Sequence, residues 1–230
     1  MMDPRDYNSE MIYTFTSYIY WFILLTFYFS VTNLLFYIFL LFFEWDFNNM
    51  SLFILSLLPA GPSLSALFYC FNKMEKKELP MPTKVFFEGY RKNYKDACKL
   101  WLPANLILFI LAVDLQYYLL TETIFSNIMF YVFLILTVLF LLILLYAVQI
   151  NTFFVFRIRD IFRLSIYYVV MNIKVTLGNL GIVLVSLFVA SKTNYSILSF
   201  SICVIFYLIY LNTKKVLQDV KENFVRTDEK

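Results

Sequence analysis

The sequence predicts an all-α, polytopic membrane bundle of six transmembrane helices, with both termini on the inner side and the second span broken at the Pro-Ala-Gly-Pro run, residues 59–62. Three observations lead there. The chain has 230 residues, 61% of them hydrophobic and only 15% charged, where a soluble domain carries about 25% charged residues. One small core cannot hide that much apolar surface, whereas a bilayer accepts it as its solvent. Uncharged stretches recur at membrane-crossing length. The basic residues collect on alternate connections between them.

A helix needs about 20 apolar residues to cross a ~30 Å hydrocarbon core. Residues 11–43 are uncharged and hold the first span, over 16–43. Residues 47–72 hold the second, and 100–121 the third, with Asp114 as its one charge. Residues 124–151 hold the fourth, 175–191 the fifth and 193–213 the sixth. Residues 1–15 and 213–230 are then tails, with the transmembrane domain occupying 16–212. The acidic start, Asp3, Asp6 and Glu10 against Arg5, does not fit a cleavable signal, whose first residues are basic.

Lysine and arginine stay on the cytoplasmic side of short loops. Of the 19 in the chain, Arg5, eight residues within 73–99, four within 157–174 and five beyond 213 fall on the inner side, leaving Lys192 alone outside. Trp21, Trp45 and Trp101 stand near span ends, as interfacial rings do.

The composition argues against catalysis. There is no histidine, which removes the usual general base and the commonest metal ligand. Cys70, Cys98 and Cys203 are far apart and form neither a zinc pattern nor a disulfide framework. The sequence therefore predicts no enzyme, no cofactor, no metal and no nucleic-acid partner; the bilayer is the first partner expected.

Two segments and one residue stand out. Pro59 and Pro62 each remove a backbone donor, and Gly61 permits unusual angles. Helical bonding is expected to fail over 58–61 and restart at Pro62, in the outer half of the bilayer. Broken ends of this kind can line a cavity for a polar or anionic group; the alternative is a packing kink whose freed groups bond to Ser56, Ser63 and Ser65. Asp114 is an acid inside a span, which is costly and hence a candidate for function. Pro62, Ser63 and Asp114 are therefore the candidate polar cavity, unless Asp114 only snorkels outward or bonds to Tyr117 or Tyr118. On the inner side, Phe87, Tyr90 and Tyr94 recur at helical spacing beside Arg91, Lys92 and Lys95. That predicts a basic amphipathic helix over 83–98, leading into the third span and lying along the membrane, with Phe87, Tyr90, Arg91 and Tyr94 as a candidate docking surface; the alternative is a lipid-lying elbow with no partner. A second amphipathic inner segment is expected over 156–173.

Gly61, Pro62, Ala66, Leu67 and Tyr69, followed after a short charged loop by Phe87, Tyr90, Asn93 and Tyr94, resemble the pattern of the YesL-like family of bacterial integral membrane proteins over roughly residues 55–110. The resemblance implies a multi-pass protein of the cell membrane, of unknown biochemical function and without catalytic residues. It implies an accessory or small transport component associated with bacterial carbohydrate uptake or utilisation. A membrane scaffold or regulator of a sensor is the alternative. The expected protein partners are a transporter ATPase or permease, or a sensor kinase.

Overall fold

A computed structural model describes residues 4–44, 46–76, 81–121, 123–192 and 195–224, with side chains described for these except 4–15, 190 and 195–200. Every regular element among them is an α-helix, in the order α1 (Pro4–Thr32), α2 (Leu34–Phe42), α3 (Met50–Ser56), α4 (Ala60–Glu75), α5 (Pro82–Leu120), α6 (Ile124–Phe153), α7 (Ile158–Met171), α8 (Ile173–Lys192) and α9 (Tyr195–Phe224). The chain is thus an all-α bundle. α1 already runs from Pro4, and α9 continues to Phe224, so the expected tails are helical for much of their length. Trp45, Lys77 and Glu122 lie outside the described residues.

α4 forms the centre. It carries no charge before Lys73, and Ala60, Gly61, Pro62, Ser63, Leu64, Ser65, Ala66, Leu67 and Phe68 are all buried. Around it stand α1, through Trp21, Leu25 and Phe29; α6, through Tyr146, Ala147 and Ile150; and α9, through Tyr210 and Val216. Uncharged hydrogen bonds tie these helices together: the hydroxyls of Ser65 and Thr152 pair at 2.9 Å, and the Thr213 hydroxyl donates to the amide oxygen of Gln149 at 2.9 Å. α5 and α6 run antiparallel, and the hydroxyl of Ser126 at the start of α6 donates to the carbonyl of Tyr118 near the end of α5, at 2.7 Å. Towards that turn the pair exposes Leu106, Ile110, Ile128, Ile135 and Leu139, a face that belongs in hydrocarbon.

By length and composition, three helical units can cross a membrane: Met50–Glu75, Pro82–Leu120 and Ile124–Phe153. Two bent pairs raise the number to five, Thr16–Thr32 with Leu34–Phe42 at 70° and Ile158–Met171 with Ile173–Val189 at 93°. The sixth expected span, 193–213, includes residues outside those described. The 70° bend at Asn33 was not expected, since neither proline nor glycine marks it. Asn33 turns its amide onto the carbonyl of Phe29 at 2.8 Å, and its backbone N–H bonds to that same carbonyl at 3.1 Å. Such side-chain bonding competes with the helical ladder.

Residues 83–98 are helical and lead into the third span without a break. α5 is one helix of 39 residues, about 58 Å long at ~1.5 Å per residue, roughly twice the hydrocarbon thickness. It must leave the bilayer, and its charges show which end leaves, because Lys84, Glu88, Arg91, Lys92, Lys95, Asp96 and Lys99 all lie in its first half. Pro82 fits the first position, nothing over 83–102 breaks the helix, and the helix runs on through Pro103 at the loss of one intrahelical bond, to the carbonyl of Lys99. In the second inner segment, α7 buries Ile161, Leu164, Ser165, Tyr168 and Val169, and stands at 93° to residues 173–189 of α8, with which it makes one of the two bent pairs.

The three thiols test the inside and outside assignment. Cys70 and Cys203 are buried and Cys98 is partly exposed, on the charged half of α5. Membrane-impermeant maleimide should label none of them on intact cells and should label Cys98 in inverted vesicles. Labelling of Cys98 from outside would reverse the orientation.

Candidate functional site

The break in the second span is a short turn. Residues 57–59 are non-helical, and the helix restarts at Ala60, two residues before the position expected. Ala60 bonds to Leu57 at 3.0 Å and Ser63 to Pro59 at 3.2 Å. The first helical donor is therefore Ser63, so Pro62 falls within the first turn, where a missing N–H costs no intrahelical bond. Serines quench the local groups: Ser56 donates to the carbonyl of Phe53 at 2.6 Å and Ser63 to that of Pro59 at 2.7 Å, with Thr32 Oγ1 2.9 Å from the same Ser63 hydroxyl. The indole N–H of Trp101 donates to the carbonyl of Leu57 at 2.8 Å. Trp101 is the second residue of the third expected span, so the break in the second span packs against the start of the third.

This geometry decides where the expected cavity residues sit. Pro62 and Ser63 are buried within the bundle. Asp114 is thirteen residues beyond Trp101 on α5, about 20 Å further along the helix. The structure brings Pro62 and Ser63 together but not Asp114 with them. The cavity nearest the break, about 330 Å³, is lined by Ser51, Ile54, Leu58, Leu102, Asn105 and Phe109, nearly all apolar. Asn105 is its one amide, 3% exposed, and its side-chain N and O have no hydrogen-bond partner among the described residues.

The four expected docking residues do form one surface. Phe87, Tyr90, Arg91 and Tyr94 occupy i, i+3, i+4 and i+7 positions, a continuous stripe on a helix. Phe87 and Tyr94 are 45% and 47% exposed, Arg91 is exposed and Tyr90 half-buried. Tyr90 stacks on buried Phe86 with centroids 6.4 Å apart and leans on Tyr94 at 5.7 Å. Burial, then Tyr94 and Cys98, push the Tyr90 phenol up. The opposite flank is fixed to α4: Tyr69 donates to Glu88 at 2.8 Å, and the Lys92 ammonium sits 5.6 Å from the Tyr69 ring centroid. Gly89 lets that ring approach, since a Cβ there would stand 2.8 Å from Tyr69 Cδ1. The stripe is thus presented by a helix that cannot roll.

A further site was not anticipated. At the inner ends of α4, α6 and α9 a cavity of about 530 Å³ is lined by Asn72, Glu75, Lys76, Lys214, Gln218 and Lys221, with Phe153, Phe154 and Tyr210 among its walls. Glu75 accepts from Tyr210 at 3.1 Å and pairs with Lys214. Those partners are 135 and 139 positions away in sequence, and no spacing rule links them. Among the described residues there is no group of three acidic, cysteine or histidine side chains able to hold a metal.

Residues 29–115 match the model of a family described as "Protein of unknown function, DUF624". No curated protein and no solved structure matches the chain. The matched stretch is less than half of the chain. It covers the bend at Asn33, the break, the Gly61–Trp101 contact and the aromatic stripe, and it ends just past Asp114. The basic cavity straddles its limit, taking Asn72, Glu75 and Lys76 from inside it and all of its α6 and α9 residues from beyond.

Proposed function

We propose that the chain is a noncatalytic, multi-pass protein of the bacterial cell membrane. In this reading it is an accessory subunit that holds a partner on its inner face, within a carbohydrate uptake or utilisation system of the kind the YesL-like resemblance implies. The observation that carries the reading is the inner end of α5, where Phe87, Arg91 and Tyr94 stand exposed around half-buried Tyr90 on a helix packed against α4. Aromatic and arginine side chains on a rigid support are the residues that dominate interfaces. A transporting role would draw support from a polar cavity shared by Pro62, Ser63 and Asp114, and the separation along α5 gives it none.

The test is a photo-crosslinking residue at position 94, irradiation of native membranes, and purification through the chain. A transporter ATPase or permease in the crosslinked product is the expected result. A sensor kinase there would favour the regulatory alternative. Crosslinks to lipid alone would overturn both.

A further inference from the structure

We infer that the basic cavity at the inner ends of α4, α6 and α9 takes the headgroup of a singly charged anionic phospholipid, with an acyl chain in the apolar groove next to it. The groove, about 320 Å³, is lined by Leu64, Phe68, Leu144, Val148, Ile205 and Ile209, and also by Trp101 of α5 and by Val183 and Leu187 of α8. α4, α6 and α9 thus contribute to both spaces, while α5 and α8 wall only the groove. Phe68 precedes Asn72 by one turn on α4, Val148 precedes Phe153 on α6, and Ile209 precedes Lys214 on α9. Between them lies Tyr210, whose ring meets Phe68, Phe71 and Phe153 with centroids 6.5, 6.1 and 6.1 Å away, while its hydroxyl reaches Glu75. The paired spaces therefore have an amphiphile's layout, apolar on the bilayer side and charged at the inner surface.

The charges select the headgroup. Lys76, Lys214 and Lys221 face one carboxylate, Glu75, to which Lys214 is committed. Lys76 and Lys221 form no ion pair among the described residues. Two helix C-termini, those of α4 and α6, also point here, each equivalent to about half a negative charge. What remains is close to one positive charge, the complement of a phosphodiester. A choline or ethanolamine headgroup would bring its own cation among the lysines. Basic pockets between helices on the cytoplasmic side recognise anionic headgroups in this manner. A soluble phosphorylated metabolite shares the phosphate chemistry but would leave the groove unfilled.

The experiment uses the full chain in detergent, with native mass spectrometry and thermal unfolding, against phosphatidylglycerol, phosphatidylcholine of the same chains, and soluble glycerol phosphate. Phosphatidylglycerol should remain bound and raise Tm; phosphatidylcholine should do neither, and millimolar glycerol phosphate should not displace the lipid. Lys76→Gln with Lys221→Gln should weaken phosphatidylglycerol binding about thirty-fold, roughly five-fold per lysine. Lys84→Gln with Lys95→Gln, basic residues on α5 that line neither space, should change it by less than about two-fold. Leu144→Trp, which fills the groove, should also weaken lipid binding. If the first double variant does not fold, the comparison of the two lipids on the natural chain decides. Equal retention of both lipids, an equal loss from the α5 variant, or glycerol phosphate binding in preference to lipid would each overturn the assignment.

Discussion

Gly61→Ala should be the most damaging alanine substitution at any of the chain's glycines. A Cβ at position 61 would stand 2.4 Å from Cγ and 2.6 Å from Cβ of Trp101. These atoms are the root of the side chain, so the clash can be relieved only by moving α5 away from α4 or by forcing the indole from its rotamer. Overpacking of this kind costs about 1–3 kcal/mol, and here the upper end is expected, because moving the indole also strains the bond from Trp101 to the Leu57 carbonyl. Gly89→Ala, where the nearest atom is Cδ1 of the Tyr69 ring at 2.8 Å, should cost less, since that ring can swing. Gly181→Ala meets nothing within 4 Å and should be neutral or stabilising by up to ~1 kcal/mol through helix propensity. Equilibrium unfolding in mixed micelles gives the order. A double-mutant cycle identifies the cause: in a Trp101→Ala background the Gly61→Ala penalty should nearly vanish. A penalty that persists there would show that the Gly61 backbone is at issue, and not its contact.

The particulars of this bundle were unequally legible in the sequence. Hydropathy located the crossing units because burial in lipid needs only length and apolarity. The Pro-Ala-Gly-Pro break was visible because proline removes a donor wherever it falls. Its position was displaced by two residues because Pro62 is accommodated anywhere in a first turn. The bends at Asn33 and Asn172 were not visible, since neither proline nor glycine marks them; at Asn33 the amide bonds back to Phe29, a competition that sequence alone does not decide. The stripe on α5 was legible from its spacing. So was its lead into the third span; its angle to the membrane was not, because amphipathic periodicity is the same whether a helix lies along a membrane or projects from it. The basic cavity was least legible of all: Lys76 and Lys214 read separately as surface lysines, and only the packing of α4 on α9 places them together.

Reversing the charge and removing the ring at the end of the stripe, Arg91→Glu with Tyr94→Ala, should abolish partner recovery while leaving the protein at normal abundance in the membrane. Both side chains project from the bundle, so folding loses little by the change. An interface anchored on an arginine and an aromatic typically loses about 2 kcal/mol or more for each anchor removed, so with both removed affinity should fall about a thousand-fold. Asp114→Asn supplies the contrast. It lies about 20 Å along α5 from Trp101, on the stretch of the α5–α6 pair that exposes apolar side chains, and should leave recovery within about two-fold of the natural chain. The two variants separate the readings of function. If the inner face is the working surface, the stripe variant loses both the partner and the growth advantage on the relevant carbohydrate, and Asp114→Asn keeps both. If Asp114→Asn abolishes growth while the stripe variant grows normally, the working site lies within the membrane, and the accessory role proposed for the inner end of α5 fails.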